Sequence, residues 1–243
     1  MVAAPDPPPA APLTGPVVLV SSPHARHAED GERLARLLAA VGITVGQRLE
    51  VTDLDDCEPQ GDSWKQQGYV AAIAAGGDGT VGMVATHLAG CGLPLGILPL
   101  GTANDVARSL SIPMQLEAAC QVIAAGHSLA VDAGQVVPAL AKPGALSVEE
   151  MVSLPQGGDA PSPRGGAYFL HAVTLGLNVE FARLATDADR RARLRGLTYP
   201  TSALEALARF RPVHARLRFR AHDGAAEQVL ECPVLTVLTV NTP

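Results

Sequence analysis

Two glycine turns, each set between an apolar run and a helix-like stretch, constrain this chain more than anything else in it. The first holds Gly76, Gly77, Asp78, Gly79 and Thr80 and follows the apolar run 69–75. The second runs Pro99-Leu100-Gly101-Thr102-Ala103-Asn104-Asp105 and follows 95–98. Glycine lets a backbone turn sharply and come close to another backbone or a ligand. A helix that starts at such a turn points unpaired N–H groups outward, which favours an anion, phosphate above all. A single turn of this kind also serves as an ordinary strand-to-helix connection. Two of them in one small sheet point to a polyphosphate held from two sides.

The segments around the turns alternate in type. Short apolar runs predict strands at 17–20, 69–75 and 95–98, with 43–45 and 49–51 competing for a fourth. Leu34, Leu37, Leu38 and Val41 recur at helical spacing, so a helix is expected over 29–41, ending at Gly42. Further helices are expected over 80–89, 103–110 and 115–125. This alternation predicts an α/β fold, a parallel sheet with helices on both faces. Ligands of such sheets bind beyond the carboxyl ends of the strands, where both glycine turns fall.

After residue 130 the pattern changes. A strand at 131–137 leads into 138–166, which is rich in Pro, Gly, Ser and Asp and reads as a long flexible loop. Strands are then expected at 168–175, 213–220, 229–231 and 234–240, with helices over 178–195 and 199–210. The second helix carries Leu204, Leu207 and Phe210 on one face, and 213–220 alternates as a half-exposed antiparallel strand does. The organisation expected is a disordered leader at 1–15, an α/β domain at 16–130, and an incomplete β-rich domain at 131–243.

At 243 residues with 47% hydrophobic content the chain can bury a sizeable core, built from Ala, Val and Leu because aromatics are only 3%. Its formal charge of −6 argues against a nucleic-acid partner. No apolar run approaches the ~20 residues of a membrane span. Cys57, Cys91, Cys120 and Cys232 show neither zinc nor disulfide spacing and read as thiols of a reducing cytoplasm. Trp64 reads as a packing anchor, and His87 and His171 as packed histidines rather than bases.

The two turns together resemble the diacylglycerol kinase catalytic domain family, which includes bacterial lipid kinases and sphingosine kinases. The first turn is shared with NAD kinases; the second, continued by Val106, Ala107 and Arg108, separates the lipid-kinase branch. The resemblance runs from about residue 17 to the end of the chain. It implies an α/β nucleotide-binding domain followed by a β-sandwich, with ATP and Mg2+ in a cleft between them and phosphoryl transfer to a lipid hydroxyl such as that of diacylglycerol. It implies that backbone N–H groups around Gly76, Gly77, Gly79 and Thr80 hold the phosphates. Asp78 then positions its loop or approaches magnesium, and Gly101, Thr102, Asn104 and Asp105 form the facing wall. Thr52, 24 residues before Gly76, sits where family members carry a nucleotide-contacting threonine. Each has a plainer alternative: a turn carboxylate for Asp78, a helix cap for Thr80, local hydrogen bonds for Asn104 and Asp105, and a strand end for Thr52.

Three departures accompany the resemblance. The family's Asn-Pro-x-Ser-Gly opening reads Ser21-Ser22-Pro23-His24-Ala25. Gly82 and Met83 stand where the family's Asn-Glu pair is expected, so a carboxylate is missing at 83. The chain stops at Pro243, where the family's Asp-Gly-x-Leu-Asp segment with its catalytic base and metal ligands is expected to begin. Loss of a positioned base costs ~10²–10⁴ in rate. A rival reading is therefore a nucleotide-binding, catalytically degenerate homologue; an NAD kinase is a further alternative. Four arginines in 190–195 read as a solvated basic face or as a patch for anionic lipid headgroups at the inner face of a membrane. A homodimer is compatible with all of this.

Overall fold

The computed structural model describes residues 12–23, 31–55, 57–136, 167–186, 197–219 and 228–240. The loop expected at 138–166 and the basic stretch 190–195 lie outside the described residues, as does the expected leader as far as residue 11. The chain divides into two compact units, Met1–His171 with Asn241–Pro243, and Ala172–Val240.

In the first unit β1 (Pro16–Ser21), α1 (Gly31–Ala40), β2 (Thr44–Glu50), a 3-10 turn (Val51–Leu54), α2 (Gly61–Gln66), β3 (Ala71–Gly76), α3 (Asp78–Leu88), β4 (Leu95–Pro99), α4 (Asp105–Ser109) and α5 (Leu116–Ala125) follow in order. The strands form one parallel sheet in the order β2-β1-β3-β4. A short antiparallel pair, β5 (Gly134–Val136) and β6 (Ala167–Phe169), completes the unit.

Alternate residues of the central strands face opposite sides, so each side has its own core. Val18, Val20, Ala72, Ala74 and Ile97 pack with Trp64 of α2, Val81 and Val84 of α3, and Val106 of α4. Val17, Leu19, Ile73 and Leu98 pack with Leu34 and Leu38 of α1 and with Ala119 and Cys120 of α5. The expected parallel sheet with helices on both faces is therefore present. The two stubs expected at 43–45 and 49–51 belong to one strand, β2. It is the sheet's edge, so its polar middle, Gln47 and Arg48, is tolerated there. Helix α2 has no apolar periodicity to betray it; one side chain, the fully buried Trp64, anchors it.

His87 on α3 is buried in the first of these cores, and its Nδ1 accepts a hydrogen bond from the Gln60 backbone N–H at 3.3 Å. Burial holds its pKa below the usual histidine value, against an opposing pull from the Leu54 and Glu58 backbone. The unfolded chain therefore binds a proton here more readily than the folded one, so stability falls as pH drops through about 6.5. The urea midpoint should decrease between pH 7.5 and pH 5.5. His87→Asn, which keeps an acceptor but cannot titrate, should flatten that decrease.

In the second unit β7 (Ala172–Gly176) pairs antiparallel with β10 (Thr236–Val240), and β8 (Val213–Phe219) with β9 (Gln228–Val234). The strand expected at 168–175 is broken: β6 pairs with β5, whereas β7 pairs with β10. Helices α6 (Leu177–Thr186) and α7 (Thr198–Arg209) pack together, with the Phe181 and Tyr199 rings 6.3 Å apart. The buried face of α7 is Thr198, Ser202 and Ala206. Among the described residues the fully buried Ser202 hydroxyl has no hydrogen-bond partner. Removing an unsatisfied buried hydroxyl relieves its desolvation cost. Ser202→Ala should therefore leave stability unchanged or raise it by about 1 kcal/mol in chemical denaturation.

Candidate functional site

Strands β3 and β4 are neighbours, so the turns that leave their carboxyl ends are neighbours too. The contact is backbone on backbone. A Cβ on Gly101 would lie 2.4 Å from the Gly77 Cα, and one on Gly77 would lie 3.1 Å from the Gly101 Cα. No side chain fits between them, which explains glycine at both positions. The Leu100 N–H donates to the Gly76 carbonyl at 2.8 Å, extending the ladder into the turns. Behind Gly76 the Thr80 side chain folds back so closely that a Cβ on Gly76 would meet Oγ1 at 2.2 Å. Thr80 is buried by this arrangement.

The polar side chains of the turns lock the same contact. Asn104 takes a left-handed conformation (φ 52°), which asparagine tolerates better than most residues. Its Oδ1 accepts from the Gly101 N–H at 2.9 Å and its Nδ2 donates to the Gly101 carbonyl at 3.1 Å. Asn104 thus brackets its own loop and, although it is the N-cap of α4, does not cap it. Asp78, from the other loop, does so: its Oδ1 accepts from the Val106 N–H at 3.0 Å. A carboxylate at a helix N-terminus is favoured by charge as well as by the hydrogen bond.

Other groups remain open. The first intrahelical bond of α3 runs from the Val81 N–H to the Gly77 carbonyl at 3.0 Å, so the N–H groups of Asp78, Gly79 and Thr80 lie ahead of the ladder. Gly79 is exposed, and a Cβ built there meets nothing within 4 Å. Thr102, Ala103 and Asp105 are exposed on the second loop. Arg108, which the sequence reading did not single out as a site residue, reaches back with Nε donating to the Ala103 carbonyl at 2.9 Å. Its signal was its place four residues after Asn104, one helical turn from the loop.

Nine of the ten residues singled out from the sequence therefore meet at one pair of loops. Thr52 stands apart from them. It is exposed in the 3-10 turn after β2, on the same carboxyl edge but two strands from β3, about 10 Å at ordinary strand spacing. Between them the sheet order reverses, because β1 connects to β2 on one side and pairs with β3 on the other. The first glycine loop lies at this switch point, where α/β sheets open a crevice. Met83, at the position of the expected carboxylate, packs partly buried against the core beneath α3.

Both loops fall within residues 18–136, which match the model of the diacylglycerol kinase catalytic domain. Over those residues, just under half of its length, the chain is similar to that family. The relative named "Probable lipid kinase YegS" from Escherichia fergusonii is 48% identical over 114 residues, 44% of this chain and 38% of the relative. The protein of the same name from Escherichia coli O1:K1 / APEC is 40% identical over 104 residues, 41% of this chain and 34% of the relative. The match thus spans little more than a third of these curated relatives. Two solved structures from Bacillus anthracis str. Sterne, described as a candidate diacylglycerol kinase, share the fold. They have TM-scores of 0.51 at 23% and 22% identity, covering 94% and 92% of this chain and 65% of each solved chain.

The cross-loop cap can be tested directly. Asp78→Ala leaves the Val106 N–H without its acceptor and should cost about 1–2 kcal/mol of stability. Asp78→Asn keeps an acceptor oxygen and should cost less than half as much, read from paired urea titrations.

Proposed function

We propose that this chain is a lipid kinase catalytic domain that holds the triphosphate of ATP on the two joined glycine loops. In this reading the phosphoryl group passes to a lipid hydroxyl such as that of diacylglycerol. What supports it above all is the first turn of α3, exposed at Gly79, with its N–H groups ahead of the ladder and open space over Gly79 among the described residues. The similarity of residues 18–136 to the diacylglycerol kinase catalytic domain points to the reaction class. The phosphates are gripped by the backbone of Gly77, Gly79 and Thr80 from one side and of Thr102 from the other, while Gly101, held by Asn104, shapes the second loop. Phosphoryl transfer asks a protein mainly for position and charge stabilisation, which rigid backbone donors provide without reorganising.

Positive charge at the loops comes from Arg108, tied by Nε to the Ala103 carbonyl. Mg2+ needs few protein ligands when phosphates supply the rest. Asp105, exposed beside the loop, is the carboxylate suited to hold it, since Asp78 already caps α4. The ion neutralises phosphate charge when bound. Thr52, on the same edge of the sheet, is assigned to the nucleoside end of ATP, and Asn104 keeps the second loop in shape for it.

One observation favours a second reading, a nucleotide-binding module without transfer. Met83 is packed against the core where the family pattern expects an acid. The two readings separate in one pair of measurements, calorimetric titration with ATP and Mg2+ beside transfer of labelled phosphate to diacylglycerol in mixed micelles. Binding with transfer supports the kinase, binding alone supports the module, and neither sinks both. Gly79→Ala tests the cradle without harming the fold. Its backbone is not left-handed and the space is open, so stability should hold or rise by about 0.5–1 kcal/mol. ATP affinity should fall about tenfold or more, because the new methyl occupies the phosphate's place.

A further inference from the structure

Helix α7 is built inside out. Its buried face is the small-residue row Thr198, Ser202 and Ala206, while Leu197, Leu204 and Leu207 on the other side are 63%, 70% and 58% exposed. The spacing is helical: seven residues separate Leu197 from Leu204 and three separate Leu204 from Leu207, so the three share one stripe. Leu204 and Leu207, expected on one face of this helix, thus form a surface one. Small residues on the packed side let α6 approach, which leaves the leucines outside.

The segment that carries this stripe is basic in sequence. Ala172–Val240 carries ten arginines against seven acidic residues, net +3, whereas the remainder of the chain carries −9. Just past the C-terminus of α7, where Phe210 turns extended, stands the exposed Arg211. Arg183 and Arg209 are ion-paired with Glu180 and Glu205 at 2.8 and 2.9 Å, but Arg211 has no acid partner among the described residues. Arg211 lines an open hollow of about 590 Å³ with Arg209, Glu180, Phe210, Gly176 and Val179.

We propose that the leucine stripe of α7, with Arg211 just beyond the helix's C-terminus, docks this unit onto an anionic lipid surface. The inference rests on the lipid-kinase reading for its partner and gives that reading its route to a membrane-borne substrate. An apolar stripe with a cationic end is the pattern of a helix that lies in the interface: leucines enter the acyl boundary and arginine meets the headgroups. Charge decides between this occupant and a second copy of the chain, since two such faces would bring net-positive units together. In the hollow beside Arg211 the two arginines outnumber the one carboxylate, Glu180, which is already paired with Arg183.

The experiment is sedimentation of the full chain with vesicles of phosphatidylglycerol and phosphatidylcholine, compared with phosphatidylcholine alone. The wild type should bind the anionic vesicles, and Leu204→Ser with Leu207→Ser should weaken binding about tenfold or more. Arg211→Gln should lower the preference for anionic vesicles while keeping the leucine-dependent part. Surface leucine changes should leave the circular dichroism spectrum unaltered. Absence of vesicle binding by the wild type, or equal binding by the leucine variant, overturns the proposal. So does a leucine variant that only dissociates an oligomer in light scattering. ATP titration without lipid reads the kinase proposal separately: vesicle binding without ATP binding upholds the docking face and sinks the kinase, and the converse does the opposite.

Discussion

The contact between Gly77 and Gly101 is the constraint on which the candidate site depends. Two backbones approach so closely there that neither residue can carry a side chain. Once they touch, the two helices behind them have fixed starting points, and a carboxylate from one loop can cap the helix of the other. Asp78 does this for α4, and Asn104, relieved of capping, closes on Gly101 instead. The loops therefore form one rigid piece rather than two independent turns. Rigidity of this kind is what a backbone phosphate cradle requires, because its donors must stand in place before the ligand arrives.

That interlock reassigns chemistry among the side chains. Asp78, the most conspicuous acid of the first loop, is engaged structurally through Oδ1, and Asn104 likewise through both side-chain atoms. The groups facing outward are the ones a residue-type search ranks lower: backbone N–H groups, Thr102, Asp105 and the returning Arg108. The plainer readings of Thr80 and Asn104, held open from the sequence, describe their contacts here. A residue that shapes the cradle contributes to binding without touching the ligand, so those contacts and the proposed function agree.

Strands β1 and β3 were legible because continuous apolar runs bounded by turns have few other uses. The edge strand β2 was legible only as two stubs, since an edge tolerates the polar residues that interrupt its pattern. Helix α2 was invisible because one tryptophan, not a periodic face, holds it down. The break between β6 and β7 was also hidden, because a strand's partners are chosen in space and not along the chain. Nine of the candidate site residues lie together because two short motifs at adjacent strand ends carry them. Thr52 was located only by its distance along the chain, and it lies two strands away.

The sequence by itself determined the alternation of strand and helix, the position of both glycine turns and the absence of side chains where backbones must touch. These are local properties, written in spacing and residue size. Only the tertiary structure decided that Asp78 caps the opposite loop's helix, that Met83 packs into the core, and that α7 turns its small residues inward and its leucines out. Each of those outcomes turns on which surface reaches the element first. Hydrophobicity along a helix says that one face will be buried, but a neighbouring helix that fits closely against small residues can claim the other.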